Sequence, residues 1–142
     1  MPSAVCVDAS FAAKLALPEE YADRARALWE EWERRGVERL VPTLWGYEIA
    51  AVVRKYGHRQ WLTPEEEEEA LRLLLNLPVR VVDMWPWHHK AGALARELGL
   101  PTSYDAHYLL LSRELGIAFW TGDRRLYNTV RKQVDFVRWI GA

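Results

Sequence analysis

Short apolar segments alternate with helix-forming segments along nearly the whole chain, and this alternation restricts the possible folds more than any other feature of the sequence. The first example is AVCV at residues 4–7, a run of small and β-branched residues that stops at Asp8. Short runs of this kind are typical of strands that are buried on both faces of a sheet. Strands are predicted at residues 4–7, 40–41, 79–82 and 117–120, with a possible fifth at 136–139.

Helical patterns fill the intervals between these strands. Several of them stop at a glycine, and the run of glutamates after Thr63 begins with a capping box, Thr63-Pro64-Glu65-Glu66. Acidic residues in a first helical turn complement the helix dipole, so this run is assigned a structural role. Helices are predicted at residues 9–17, 19–35, 43–56, 86–98, 103–115 and 124–132, besides the one that Thr63 begins.

Strands that alternate with helices predict an α/β fold, a three-layer α/β/α arrangement with a mainly parallel central sheet of four to five strands. The 142 residues correspond to one domain, residues 1–142. In sheets of this type, ligands bind beyond the carboxyl ends of the strands. Polar residues that follow predicted strands are therefore the first candidates for a functional site.

Composition excludes several classes of protein. Cys6 is the only cysteine, which rules out an intramolecular disulfide or a cysteine-rich zinc site and predicts a small buried side chain. A net charge of −1 argues against a large basic face that would hold nucleic acid by electrostatics alone. The first residues lack the pattern of a signal peptide, and no apolar run approaches the ~20 residues that a membrane span needs. We expect a cytoplasmic protein without a membrane partner.

Three aspartates occupy positions that suit either a helix cap or a ligand. Asp8 directly follows the first predicted strand, and Asp123 follows the fourth after Thr-Gly. Each could be the N-cap of the next helix, worth about 1 kcal/mol. Asp105, three residues after Thr102, could be a capping-box acid. Taken one at a time, the structural interpretation is favoured for all three.

Glu48 has no such structural explanation. It lies in the middle of the predicted helix 43–56, four residues from both Leu44 and Val52, and therefore projects between apolar neighbours. A buried charge costs several kcal/mol unless it is paired or coordinates a metal. A salt bridge to Arg or Lys and a cation shared with the other acids both remain possible.

The four acids together favour a metal site. If Asp8, Glu48, Asp105 and Asp123 converge, their like charges raise one another's pKa values unless a cation neutralises them. Mg²⁺, or Mn²⁺ in its place, suits such oxygen ligands and completes its shell with waters and substrate phosphate. A metal bound there polarises a phosphodiester and activates water for its hydrolysis.

The chain resembles the PIN-domain nucleases, and within them the VapC toxins of type II toxin–antitoxin systems. The matching segments occur in the family's order and span almost the whole chain: VCVDAS at 5–10, WGYEIAAVVRK at 45–55, SYDAHYLLLSRELG at 103–116 and FWTGDRRLYN at 119–128. The resemblance implies a Mg²⁺-dependent endoribonuclease, typically a homodimer, that is inhibited by a cognate antitoxin protein.

The resemblance also implies roles for individual residues. Asp8, Glu48, Asp105 and Asp123 match the family's catalytic, metal-binding acids, and Thr121 and Ser10 match hydroxyls that support the site. It implies that Asp8 and Asp105 hold the first ion, that Asp123 contributes directly or through water, and that Glu48 orients a water or a transient second ion. Some members carry a further acid where this chain has Leu126 and Asn128, so the number of ions stays open.

Three further groups of residues have a functional and a structural interpretation each. Arg124 and Arg125 are predicted to bind RNA phosphates, the alternative being surface arginines that balance nearby acids. WPWHHK at 85–90 could supply a stacking or dimer contact, although core packing is favoured for one tryptophan and a histidine metal site is disfavoured. Leu44, Trp45 and Tyr47 could form an interface, but core packing is favoured.

Two other functions compete with the nuclease. A PIN scaffold that only binds protein or RNA is one, and the presence of all four acids argues against it. A phospho-acceptor or phosphatase domain also carries Asp after its first strand, but Ser10 stands where Asp-x-Asp phosphatases need a second acid.

Overall fold

The computed structural model describes residues 3–142, and its regular elements begin with a strand that directly precedes Asp8. Five strands form one sheet, and every neighbouring pair is parallel. The strands are β1 (Ala4–Val7), β2 (Glu38–Pro42), β3 (Arg80–Val82), β4 (Ala118–Thr121) and β5 (Val137–Trp139). The prediction of a mainly parallel sheet of four to five strands is confirmed.

Seven α-helices connect these strands within residues 3–142. They are α1 (Ala9–Ala13), α2 (Ala22–Arg34), α3 (Leu44–His58), α4 (Pro64–Leu75), α5 (His88–Leu98), α6 (Tyr104–Leu115) and α7 (Arg124–Val130). A single 3₁₀ turn, Trp85–Trp87, precedes α5. The capping box predicted at Thr63 is present, with Glu66 donating its amide to the threonine hydroxyl and its carboxylate accepting from the Thr63 amide.

The strand order is β3-β2-β1-β4-β5, so the chain first builds the sheet in one direction from β1 and then returns to add β4 on its other side. Right-handed crossovers place the helices of the first half on one face and those of the second half on the other. Contacts agree with this, since α1 packs against α3 while α5 packs against α6. The order reverses between β1 and β4, and their carboxyl ends form the topological switch point where ligands bind in such sheets.

Two predicted helix starts are corrected by backbone geometry. The helix predicted at 19–35 begins only at Ala22, because Tyr21 adopts a left-handed conformation with φ of 65° that a right-handed helix cannot contain. The helix predicted at 86–98 begins at His88, because residues 85–87 form the tighter 3₁₀ turn that the Trp87 amide closes on the Met84 carbonyl.

Other predicted helix ends shift as well. The helix predicted at 9–17 ends at Ala13, after which Leu15 and Ala16 bond to carbonyls three residues back in tight turns. Gly57 does not end α3, which continues to His58. The lack of a side chain at Gly57 instead admits the Glu67 carboxylate, since a Cβ there would lie 1.9 Å from Glu67 Oε1.

The core lies on both faces of the sheet. The β1 residues Val5, Cys6 and Val7 are fully buried, as is Phe119 of β4, which confirms Cys6 as a small buried side chain. Trp45 is also a core residue, as the sequence favoured, whereas Tyr47 two positions on is exposed. Among residues 3–142, no helix is both long and apolar enough to span a membrane.

Candidate active site

Asp8 lies at the carboxyl end of β1, where it is both a helix cap and a buried acid. Its Oδ1 accepts the Phe11 amide at 2.9 Å, which caps α1, and also accepts the Ser10 hydroxyl at 2.7 Å. Its Oδ2 accepts the Thr121 hydroxyl at 2.5 Å. The side chain is therefore held rigidly by partners from two different elements.

These three bonds leave part of the Asp8 carboxylate available. A carboxylate offers about four lone-pair sites, two on each oxygen. Both sites of Oδ1 are used by donors, whereas Oδ2 has a single donor within residues 3–142. One lone pair of Oδ2 is left, which suits a ligand that binds an ion through one oxygen.

The β4–α7 turn is fastened to the same network. The Thr121 hydroxyl accepts the Asp123 amide at 2.9 Å, and the Gly122 amide donates to the Ser10 hydroxyl at 2.9 Å. Asp123 is the N-cap of α7, where its Oδ1 accepts the Leu126 amide at 3.1 Å. The structural and the functional interpretations of Asp8 and Asp123 are thus compatible, because each caps a helix and still lies at the carboxyl edge of the sheet.

Glu48 is hydrogen-bonded rather than ion-paired. It is half-buried on α3, and its Oε1 accepts the hydroxyl of the fully buried Tyr108 on α6 at 2.6 Å. The salt bridge considered from the sequence is absent, since no lysine or arginine among residues 3–142 pairs with Glu48. Tyr108 was missed by sequence reasoning, although its spacing of three from Asp105 puts both on one side of α6.

Asp105 is half-buried in the first turn of α6 and is not a capping-box acid. The N-cap of that helix is Ser103, which makes no side-chain capping bond. Within residues 3–142, no hydrogen bond or ion pair engages the Asp105 carboxylate. Among the four acids, the carboxylate oxygens of Asp105 are therefore the most available to bind an ion.

The acids influence one another electrostatically. Burial raises the pKa of Asp8 to about 6, although the hydrogen bonds from Thr121, Ser10 and Phe11 lower it. The charge of Asp105 adds to the rise. Burial, then the charges of Glu48 and Asp123, raise the pKa of Asp105 to about 6. Burial also raises the pKa of Glu48, with Tyr108 opposing and Asp8 reinforcing the shift. Carboxylates from four separate elements are therefore coupled electrostatically.

The four carboxylates are coupled electrostatically but do not form a closed cage. Among residues 3–142, no three His, Cys, Asp or Glu side chains lie close enough together to hold an ion by themselves. Mg²⁺ is commonly bound through one or two carboxylates and keeps several waters. Hard oxygen donors, the pKa values of Asp8, Glu48 and Asp105 that burial and then neighbouring charges raise, and the missing cationic partner fit such a partly hydrated divalent ion.

The structure places the remaining predicted residues as follows. Ser10 and Thr121 contact the Asp8 carboxylate and lie 3.3 Å apart, hydroxyl to hydroxyl. The Arg124 guanidinium lies 5.3 Å from the ring centre of Trp139, and Arg125 is exposed on the first turn of α7. Phosphate binding by these two arginines stays a prediction.

Comparison with known proteins assigns the fold to a family. A model of the PIN domain matches residues 5–132, which is most of the chain. The chain belongs to the PIN domain family. PIN domains are typically nucleases. A search of the curated proteins finds no match.

Two solved structures are similar to this chain over nearly their whole length. PAE2754 from Pyrobaculum aerophilum is 24% identical, with a TM-score of 0.69 over 97% of this chain and 92% of that one. VapC20 from Mycobacterium tuberculosis, described as a toxin that cleaves the sarcin-ricin loop, is 20% identical, with a TM-score of 0.65 over 94% and 98%. At these identities the similarities support the fold alone, over 97% and 94% of this chain.

Proposed function

We propose that this PIN domain is a divalent-metal-dependent endoribonuclease of the VapC type, with Mg²⁺ as the ion and Mn²⁺ as a substitute. One observation carries the proposal: carboxylates from β1, α3, α6 and the β4–α7 turn are electrostatically coupled at the topological switch point, and no ion pair among residues 3–142 involves any of the four. The similarity in fold to VapC20, a toxin that cleaves RNA, supports the choice of substrate.

Each acid has a distinct part in the proposed reaction. Asp8 and Asp105 are the ion's main protein ligands, because Asp8 is fixed with one lone pair left and Asp105 has no competing partner. A bound divalent cation supplies charge neutralisation and polarises the phosphodiester. Asp123 contributes directly or through water, and Glu48, held by Tyr108, orients the attacking water. Ser10 and Thr121 position Asp8.

Two exposed arginines complete the proposed site. Arg124 and Arg125 lie next to Asp123 in the first turn of α7 and bind phosphates of the RNA on either side of the cleaved bond. The proposal also includes a homodimer in the cytoplasm and inhibition by a cognate antitoxin protein, as the similarity to VapC toxins implies.

The test is cleavage of a fluorescently labelled single-stranded RNA with Mg²⁺ or Mn²⁺. Asp8→Asn and Asp123→Asn are expected to reduce the rate at least 100-fold, since removal of an electrostatic catalytic group typically costs about 10²–10³ in kcat. Both variants keep their helix caps because asparagine caps as well as aspartate. Asp135→Asn is the matched control, since this exposed acid precedes β5 at the opposite edge of the sheet.

Three outcomes separate the nuclease from a binding-only scaffold. Metal-dependent cleavage by the wild type and the Asp135 variant, together with its loss in the site variants, supports the proposal. Full activity in Asp8→Asn removes it. Absence of both cleavage and divalent-ion binding favours the scaffold. Growth arrest when the wild type, but not Asp8→Asn, is expressed in bacteria tests the toxin assignment.

A further inference from the structure

A cleft of about 480 Å³ is lined in part by α3 and α6, the helices that carry Glu48 and Asp105, and the proposed reaction does not use it. Its walls come from three places: the β2–α3 junction, the segment between β3 and α5, and the start of α6. Its volume falls in the range of about 300–1,000 Å³ that is usual for clefts binding small ligands or parts of larger ones. We call it the aromatic cleft and define it by Tyr47, Trp85, His88, Tyr104 and His107.

The rings around the aromatic cleft are unusually exposed. Trp85 is 78% exposed, Tyr47 75% and Tyr104 58%. Single exposed aromatic residues are common on protein surfaces, but several that surround one cleft mark an interaction site. Flat rings that stay open to solvent are the feature with which proteins stack single-stranded bases.

The aromatic cleft shares two helices with the acids. Tyr47 immediately precedes Glu48 on α3, and Tyr104 immediately precedes Asp105 on α6. Residues one apart on a helix project in different directions, so each pair presents its acid towards the metal site and its tyrosine towards the cleft. A group bound in the cleft therefore contacts the same two helices that carry Glu48 and Asp105.

A pair of histidines gives the aromatic cleft a directional polar group. The His107 Nδ1 lies 2.6 Å from the Ser103 carbonyl oxygen, which only accepts, so this nitrogen carries a proton. With neutral rings, the His107 Nε2 then accepts from the His88 Nδ1 at 2.8 Å. The His88 Nε2 is left as an unprotonated acceptor, and among residues 3–142 it has no partner. Trp85 packs edge-on against the His88 ring, with ring centres 5.5 Å apart.

The charges of the cleft exclude a phosphate group as its occupant. Its lining contains no lysine or arginine, and its one acid, Asp83, uses Oδ1 to accept the Trp85 amide. A phosphate would meet a carboxylate without a compensating cation. A neutral flat group with N–H donors would find stacking surfaces and the His88 acceptor. A nucleobase is such a group.

We propose that the aromatic cleft binds one unstacked nucleobase of a single-stranded RNA. This base lies adjacent to the phosphodiester that is cleaved at the four acids. Trp85 and Tyr104 supply stacking surface, and the His88 Nε2 accepts a hydrogen bond from a base N–H. This inference rests on the proposed function for its substrate. The inference adds that RNA recognition depends on a base that binds outside the metal site. The residues that bind this base hold no ion.

Binding without cleavage tests this inference directly. The Asp8→Asn protein, in Mg²⁺ buffer, is titrated against a fluorescein-labelled ten-nucleotide oligoadenylate and against an abasic ribose-phosphate oligomer of the same length. Fluorescence anisotropy gives the two affinities. Adding Trp85→Ala or Tyr104→Ala is expected to weaken oligoadenylate binding about tenfold, the usual scale for loss of one base-stacking ring, and to leave binding of the abasic oligomer unchanged. His88→Phe, which keeps a ring but removes the acceptor, weakens oligoadenylate binding less.

Trp61→Ala is the matched control. This tryptophan is 58% exposed and follows the far end of α3, where it packs on Tyr56. It should alter neither affinity, and all variants should melt at the temperature of their parent. The inference is overturned if Trp85→Ala leaves oligoadenylate binding unchanged or weakens both ligands equally.

The cleft and the nuclease can fail separately. If the wild type cleaves no RNA but Trp85→Ala selectively weakens oligoadenylate binding, the cleft stands and the nuclease assignment falls. If RNA is cleaved and the affinities do not depend on Trp85, the nuclease stands and the cleft has a different occupant, such as a protein segment.

Discussion

At the scale of single residues, the acids combine structural and chemical roles. Asp8 caps α1 with one oxygen and keeps a lone pair on the other, while Asp123 caps α7. A cap fixes the carboxylate in one rotamer, so the electrostatic repulsion at the site is not relieved by the side chain turning away. An aspartate that caps a helix can therefore also be a metal ligand.

Tyr108→Phe tests how Glu48 is held. The hydroxyl bond favours the ionised carboxylate and lowers its pKa, so its loss raises that pKa in the folded state. We expect a loss of about 1.5–3 kcal/mol in the free energy of unfolding at pH 8, the scale of a hydrogen bond to a charged group, and a smaller loss at pH 4, where Glu48 is protonated. Urea unfolding at the two pH values measures the difference.

Tyr127→Phe is the control for this variant, because the Tyr127 hydroxyl has no hydrogen-bond partner within residues 3–142. It should leave stability unchanged at both pH values. An equal loss at pH 4 and pH 8 in Tyr108→Phe would mean that the hydroxyl serves packing rather than the ionised Glu48.

At the scale of secondary-structure elements, the β4–α7 turn decides the position of the Asp123 carboxylate. Gly122 lies so close to α1 that a Cβ there would be 2.7 Å from both the Ser10 carbonyl oxygen and Lys14 Cε. The backbone contact cannot move without displacing the Ser10 hydroxyl, which the Gly122 amide engages. Glycine is required here for close approach rather than for an unusual φ.

Gly122→Ala is accordingly expected to destabilise the protein by about 1–3 kcal/mol, the usual cost of overpacking, and to reduce RNA cleavage by shifting Asp123. Thermal unfolding and the cleavage assay measure the two effects. Gly92→Ala in the middle of α5 is the matched control, since its Cβ would meet nothing within 4 Å. That variant should gain about 0.5–1 kcal/mol because alanine favours helix. A neutral Gly122→Ala would show that the turn adapts freely.

At the scale of the whole molecule, the order β3-β2-β1-β4-β5 concentrates acids at one edge, and this has a cost in the absence of metal. Asp8 and Asp105 have pKa values of about 6 in the folded protein and ordinary values of 3.8 in the unfolded chain. Between these values the folded state binds more protons. Stability therefore falls as the pH rises from about 4 to about 6 and is not regained above it.

Mg²⁺ should reverse this loss. At pH 7.5, saturating Mg²⁺ is expected to raise the melting temperature of the wild type. When the ion is at 100 times its Kd, the free energy of unfolding rises by about 2.7 kcal/mol. The Asp8→Asn/Asp105→Asn variant should be more stable than the metal-free wild type at pH 7.5, show a weaker pH slope and gain little from Mg²⁺. Calorimetry with and without chelator measures this. A wild type indifferent to Mg²⁺ would contradict the metal site.

Most of the fold could be predicted because its signals are local. β1 matches its predicted bounds, and the Thr63 capping box is present, since both depend on neighbours a few residues away. Some errors are local, such as the left-handed Tyr21 that delays α2, but others concern contacts between distant segments, such as Gly57, which accommodates Glu67 instead of ending α3. Tyr108 was missed as a site residue for the same reason: a tyrosine in an apolar helix face looks like core until its partner on another helix is known.

The sequence by itself determined that this chain alternates strands with helices and that its acids stand at strand ends and within a helix face, because side-chain periodicity and capping act over a few residues. Only the tertiary structure decided that one Oδ2 lone pair of Asp8 has no donor and that Glu48 is held by a tyrosine instead of a cation. It also decided that three exposed rings surround one cleft. These features depend on distances between segments up to about a hundred residues apart, which burial and the parallel order of the strands impose.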